Sequence, residues 1–263
     1  MNKYLSLLKY EAKTIIRDPM NIYMCVFPMV ILILSAFVFP IILKSFGPGK
    51  GVALQLTTLL LLIIILVFGA FCLSAMATFL LLENKDECTL NTIAVTPIGA
   101  SGYIMFKMTY IYIMSVITTI IVLLGTKLIA GGQYTIGGVS LFDNIGVIHI
   151  ISFAVVSGLF VPALALFQGA FAKNKVEGFA LIKGTGTVAL IPALLILEAF
   201  QGKLQYILGV FPNFWAVKGI MLELFPINNS ANLSYSMYLL IGTVYSILML
   251  VIVYRFFLKK AEY

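Results

Sequence analysis

Residues 83–98, ENKDECTLNTIAVTPI, place three acids and one lysine within five positions, and a proline ten residues later. Almost unbroken apolar runs lie on either side, over 52–82 and 103–130. The residue types suit a helix start better than catalysis. Asn84 can cap, and Glu87, three residues on, completes the pattern of a capping box. Early acids also favour the positive end of a helix dipole. Leu90, Ile93 and Ala94 then form a short apolar face. Pro97 ends the segment, because the residue before a proline is pushed out of the helical region. The spacing predicts a compact amphipathic helix over 84–94. A bare connector needs only a few polar residues, whereas a built helix with charged ends suits docking. A solvated cap with its apolar face on lipid remains the alternative at this point.

Other reactive constellations fail on spacing. The chain has one histidine, His149, and neither HExxH nor GxSxG, so nucleophilic and zinc-hydrolase chemistry lack their parts. Cys25, Cys72 and Cys88 are odd in number and scattered, which gives neither a disulfide framework nor metal spacing. The Gly-Lys-Gly at 49–51 fails as a phosphate loop. That motif needs Gly, four residues, then Gly-Lys-Ser/Thr, and Lys44 and Gly51 hold the deciding positions. We therefore expect no catalytic residue, no metal and no ATP site of that type in these residues. Two ionisable side chains fall inside apolar runs, Lys183 and Glu198, where a charge costs about 2.5–3.5 kcal/mol at the bilayer centre. Lys183 reads equally as a snorkelling anchor and as a gate. Glu198, near the outer end of its run, and His149, near the outer end of another, read first as interfacial groups.

The elements that must position these residues are membrane helices. Of 263 residues, 62% are hydrophobic and 10% charged, against about 25% charged in soluble domains. A span needs about 20 apolar residues. Six runs qualify, near 22–43, 56–82, 103–130, 145–172, 180–200 and 235–258. The expectation is an all-α membrane protein of six helices, with no simple signal peptide and no strand pattern of an outer-membrane barrel. An even number of spans puts both termini on one side. With the termini inside, Lys44, Lys50, Lys127, Lys203 and Lys218 lie outside, and the other twelve of 17 basic residues lie inside. That is the positive-inside bias. It explains the net charge of +7 by topology and anionic lipid rather than nucleic acid.

The remaining segments follow from composition. Residues 1–19 read as a cytoplasmic interfacial helix with Leu5, Leu8, Ala12 and Ile15 on one face, broken at Asp18-Pro19. KSFGPGKG, 44–51, reads as a tight external turn, and GGQYTIGGVSLFDN as an external loop. AKNKVEG is a cytoplasmic turn. Residues 201–234, with Trp215, three phenylalanines and two prolines, read as an external interfacial or re-entrant piece. The triplets NNS, around Asn229, and NLS, from Asn232, fit the glycosylation pattern by letter.

These segments carry a resemblance. ENKDECTLNTIAVTPI resembles the loop before the third span of ABC-2 type permeases. LLKYEAKTIIRDPMNIYMCVFPMVI resembles their opening amphipathic helix and first span. AKNKVEGFALIKG is similar to the turn into the fifth span of drug-export members, including fluoroquinolone exporters. The resemblance implies a type V exporter-like transmembrane domain, the permease subunit of an ATP-driven exporter. ATP and Mg would be held by a separate cytoplasmic ABC ATPase, and a second copy or a related permease would complete the unit. It implies that the 84–94 helix contacts the ATPase, through Asn84, Asp86, Glu87, Leu90, Ile93 and Pro97. Lys183 and Glu198 would lie at a gate or substrate path. Twenty Phe and thirteen Tyr permit a hydrophobic or amphipathic cargo such as a drug, peptide or lipid. The alternative, a secondary transporter or channel, would need buried ionisable groups for ion coupling, and the sequence offers almost none. A membrane enzyme comes third.

Overall fold

The computed structural model describes residues 2–46, 51–87, 89–136, 138–225 and 231–260. Cys88, Asn229 and residues 47–50 of the 44–51 turn lie outside the described residues. The described chain is a bundle of helices, six of them long and apolar enough to cross a membrane. Helix α1 (Asn2–Arg17) precedes the first span, which joins α2 (Pro19–Ile33), a π-helical turn (Leu34–Val38) and α3 (Phe39–Lys44). The second span is α4 (Gly51–Asp86), followed by the short α5 (Thr89–Ala94). The third is α6 (Gly99–Ala130). The fourth is α7 (Val147–Gly158) and α8 (Phe160–Phe171), and the fifth is α9 (Lys175–Ala189) with a 3₁₀ turn over Ile191–Ile196. Further 3₁₀ turns lead to α10 (Pro212–Leu224), and α11 (Tyr235–Lys260) is the sixth span.

The core lies along the second and fourth spans. Helix α4 packs against α2, α6, α8 and α9, and its residues Leu80, Leu81 and Leu82 are fully buried. The fifth and sixth spans are mostly exposed on the isolated chain. The core also holds hydrogen-bonded polar side chains. Thr78 of α4 donates to Gln168 Oε1 of α8, and Gln168 Nε2 donates to Thr185 Oγ1 of α9 at 2.6 Å. These bonds tie three helices where water cannot satisfy them.

Local sequence explains most breaks. Asp18 caps α2 by accepting from the Met20 N–H at 2.9 Å, with Pro19 at the first helical position. The π-helical turn frees the Ser35 carbonyl, which accepts from the Tyr134 hydroxyl at 2.5 Å. Tyr134 comes from a loop that contains a small hairpin, β1 (Thr135–Ile136) against β2 (Val139–Ser140), with Gly138 at φ 83° in its turn. The hairpin lies within the stretch expected as an external loop.

Three differences from the sequence reading bear on function. The 84–94 helix is two pieces, because α4 runs on to Asp86 and α5 starts at Thr89. Asn84 therefore lies inside the last turn of α4 and caps nothing there. The fifth span stops being α-helical at Ala189, ahead of Ile191-Pro192. Helix α1 is rotated from the expected orientation. Glu11 and Ile15 are buried, Leu7 is half-buried, and Leu8 and Ile16 face outward. The acid sets this rotation, since its partners lie inside the bundle.

Candidate functional site

The polar machinery gathers at the end of the bundle that carries α1 and α5. Tyr103 and Lys107 stand four residues apart on one face of α6, and Leu80 and Asn84 four apart on α4. These two faces close on Glu11 of α1. The Tyr103 hydroxyl donates to Glu11 Oε1 at 2.5 Å and accepts from Asn84 Nδ2 at 3.1 Å. Lys107 Nζ lies 3.4 Å from Glu11 Oε2 and donates to the Leu80 carbonyl at 2.9 Å. Glu11 is 0% and Lys107 1% exposed, so this is a buried ion pair. Such a pair adds little net stability, but it fixes register, because losing either partner strands a charge.

A second, more exposed set lies beside it. Lys175, at the start of α9, sits 3.7 Å from Asp18 Oδ2 and 3.8 Å from Glu83 Oε2. Its backbone N–H donates to Asp86 Oδ2 at 3.2 Å, so Asp86 helps to seat the α9 turn. Asn174 caps α9 through the Glu177 N–H at 2.9 Å. Lys85 reaches across to the end of α8. It donates to the Gly169 and Ala172 carbonyls at 2.5 and 3.3 Å, where a cation meets the negative end of the helix dipole.

Helix α5 hangs from this frame by Leu90. That side chain is 5% exposed and packs in a cluster with Leu81, Tyr103, Ile104, Met108 and Phe257. Thr89 Oγ1 donates to the Asn84 carbonyl at 3.3 Å. Past α5 the chain turns through Thr96–Pro97, and Gly99 adopts φ 65° to begin α6. Asn91, Thr92, Ala94, Thr96 and Pro97 are exposed, and Val95 is 86% exposed.

Two hollows flank α1. One, of about 460 Å³, is polar and is lined by Lys13, Arg17, Asp18, Glu83, Asn84 and Glu87, among others. The other, of about 390 Å³, is mainly apolar and runs between Leu7 and Tyr10 of α1 and Thr92, Ile93, Thr96 and Pro97 of the α5 region. Together they make a contoured platform of two helices and two recesses.

The structure thus divides the expected contact residues. Ile93, Pro97 and Glu87 line the recesses, and Asp86 is exposed. Leu90 faces inward and anchors α5, and Asn84 is buried against Tyr103, although it also edges the polar hollow. Lys183 is exposed on α9, with its ammonium 4.5 Å above the Phe179 ring. It borders a hollow of about 220 Å³ formed with Phe68 and Phe71 of α4. Glu198 falls in a 3₁₀ turn, Glu198–Phe200, beyond the α-helical part of the fifth span and well away from this platform in sequence. His149 accepts from the Gly146 N–H at 3.1 Å and lies 4.0 Å from Glu223 of α10, at the opposite end of the bundle.

Sequence reading missed Glu11, Tyr103 and Lys107 as a unit. Two signals were present: an acid four residues before Ile15 on the inward stripe of α1, and a lysine interrupting an apolar run. Their pairing joins helices far apart in the chain, which no local pattern reports.

Residues 11–254 match the family described as fluoroquinolones export permease protein Rv2686c-like. Among curated proteins, the chain is similar to the fluoroquinolones export permease proteins Rv2686c and MT2760 of Mycobacterium tuberculosis, strains ATCC 25618 / H37Rv and CDC 1551 / Oshkosh. It is 27% identical to each over 251 residues, which is 93% of this chain and 89% of the relative. With six apolar helices and a match from Glu11 to Tyr254, the chain belongs to the Rv2686c-like family of export permeases.

Proposed function

We propose that this chain is the membrane-spanning subunit of an ATP-driven exporter of the ABC-2 kind, and that the α1–α5 platform is the seat of a separate cytoplasmic ATPase. The observation that carries this reading is the platform itself. Two short helical surfaces with recesses between them are held rigidly to α4 and α6 by the buried Glu11–Lys107 pair and by Leu90. A segment needed only to join two spans has no use for that frame. On this reading both termini are cytoplasmic, in the cell membrane, and ATP and Mg are bound by the partner. A second copy or related permease covers the poorly buried fifth span. Lys183 and Glu198 lie along the substrate path, as gate or anchor. The cargo is a hydrophobic or amphipathic molecule, and the relatives' names point to fluoroquinolones.

The test uses Val95, the most exposed apolar side chain of the platform. Val95→Asp leaves the spans and the Leu90 anchor untouched. It should insert at normal abundance, retain the ATPase poorly and lose export. Full retention and full export would remove the docking role from this surface.

One observation favours a second reading, a proton-coupled transporter: Glu11 and Lys107 are buried ionisable groups, which ion coupling requires. Their location weighs against it. The pair lies at the end of the bundle with α1, about two turns into α6 from Gly99, rather than midway between the two surfaces. Reconstituted protein separates the readings. ATP-dependent uptake into inverted vesicles supports the first, and uptake driven by a pH gradient without ATPase supports the second.

A further inference from the structure

Helices α6 and α11 both pack on α8, and between them lies a hollow of about 230 Å³. It opens sideways, since Met105 and Val251 on its rims are 63% and 44% exposed. Its floor is Leu159, Pro162 and Leu166, where the fourth span changes from α7 to α8. That break frees the Val155 carbonyl, because the Leu159 N–H turns to the Val156 carbonyl at 3.3 Å. The Tyr112 hydroxyl donates to the freed carbonyl at 3.1 Å. The Thr109 hydroxyl donates to the Met105 carbonyl at 2.9 Å. The Tyr254 hydroxyl meets the Ser101 hydroxyl at 2.8 Å and donates to the Ser101 carbonyl at 3.0 Å, which makes a sill at one end. Every hydroxyl in the lining is therefore engaged within the protein. The hollow has the volume of about seven waters but offers them nothing to bond, so hydrocarbon fills it.

The hollow has a definite depth. Met105 to Tyr112 is two turns of α6, about 10 Å, against a hydrocarbon core of about 30 Å. Because α6 starts at Gly99 beside the α1–α5 platform, the hollow lies in the leaflet on that side. Helix α11 runs the other way and carries the same face outward: Val251 and Tyr254 line the hollow, and Arg255 and Lys259 follow at four-residue steps. Both cations are exposed, and among the described residues neither is in an ion pair. Their long stems carry the charge to the membrane surface.

We propose that this hollow and the Arg255–Lys259 stripe form one site for an anionic glycerophospholipid of the leaflet on the α1–α5 side. One acyl chain crosses the Tyr254 sill into the hollow, and the phosphate rests against Arg255 and Lys259. Cations at the surface and a dry recess one turn deeper stand in the order in which a leaflet lipid presents its phosphate and its chain. The site uses neither α1 nor α5, so it stands without the ATPase-docking reading.

The test titrates the delipidated full-length protein with phosphatidylglycerol, and separately with phosphatidylcholine of the same chains, and counts bound lipid by native mass spectrometry. One phosphatidylglycerol should be retained at least about tenfold more tightly than phosphatidylcholine. This comparison needs no variant. Arg255→Gln/Lys259→Gln should weaken its retention by about thirtyfold, from roughly fivefold for each basic residue near an anionic head group. Thr109→Phe, which fills the hollow from its exposed rim, should weaken both lipids. A phosphatidylglycerol with a diazirine midway along one chain should cross-link to residues 105–112 and 250–254. Equal retention of the two lipids overturns the site. Full retention in Thr109→Phe, or cross-links confined to other segments, reduces it to surface adsorption and overturns it as well. Displacement of the cross-linked lipid by a fluoroquinolone would give the hollow to cargo and overturn the lipid as its occupant.

Discussion

Removing the Lys107 ammonium tests whether the Glu11 pair holds the platform to the spans. In Lys107→Met the Glu11 carboxylate stays at 0% exposure and keeps only the Tyr103 hydroxyl at 2.5 Å. At 3.4 Å and an effective dielectric of about 20, the lost attraction is about 5 kcal/mol. Stranding one partner of a buried pair costs about 3–5 kcal/mol. Glu11→Gln should cost a similar amount, because it strands Lys107 with the Leu80 carbonyl alone. The double variant Glu11→Gln/Lys107→Met buries no charge, and its glutamine oxygen can still accept from Tyr103. It should lie within about 1–2 kcal/mol of wild type. The coupling between the two sites should therefore be large, about 3 kcal/mol or more, where independent sites add to within about 0.3–0.5 kcal/mol. Equilibrium unfolding of the purified protein in mixed micelles measures all four corners of the cycle. Hydrogen exchange over residues 2–17 gives the local readout, since α1 should open in each single variant and close again in the double. A single variant as stable as wild type, or a coupling below about 1 kcal/mol, would refute the claim that this pair fixes α1.

Three further outcomes are expected. Lys183→Arg should be silent if the lysine anchors α9, because arginine also reaches the interface; Lys183→Met with wild-type transport would leave only the anchoring role, and reduced transport at normal abundance would support the gate. Thr92→Cys, placed on the exposed side of α5 in a chain whose Cys88 has been replaced by serine, should react with an impermeant maleimide in inverted vesicles and not in intact cells; labelling from outside would reverse the assigned topology. Lys175→Ala should speed hydrogen exchange in the first turns of α9 while α8 stays protected, and unchanged exchange would show that the Asp18 and Glu83 pairs carry no weight.

Much of the fold was legible because membrane spans announce themselves by length and apolar content. Six runs in the sequence correspond to six helices with somewhat shifted ends. The π-helical turn at Leu34–Val38 and the break at Leu159 were not legible. Both sit inside uniformly apolar runs, and their backbone groups are satisfied by distant residues such as Tyr134. The candidate site was half legible. A charged segment before the third span pointed to the end of the bundle that carries α1 and α5. Its capping pattern misled, because the apolar pull of α4 carries the helix on through Asn84 to Asp86. Leu90 looked like a docking residue since an amphipathic face does not say what covers it, and here the cover is the protein's own Tyr103 and Phe257. The sequence pattern does not single out Glu11, because a lone acid on an interfacial helix belongs in water unless a lysine far along the chain meets it.

The distribution of tethers says which span is cheapest to move. Helices α4 and α8 interlock through fully buried side chains such as Leu81 and Leu166, and separating them would open a core. Helix α9 has less to lose. Its inner face packs against α4 through Gly178, its middle is held by the Gln168–Thr185 bond, and its start by Lys175. The Lys175 side chain is 39% exposed, so each of its two pairs is worth about 0–1 kcal/mol. Those pairs end on Asp18 and Glu83, beside the α1–α4 frame that the Glu11–Lys107 pair makes stiff. A load applied to the platform would therefore reach α9 through contacts that break cheaply, while α4 and α6 move with the platform as one body. On the docking reading proposed above, a stiff frame joined to a loosely held span would convert docking at one surface into displacement within the membrane.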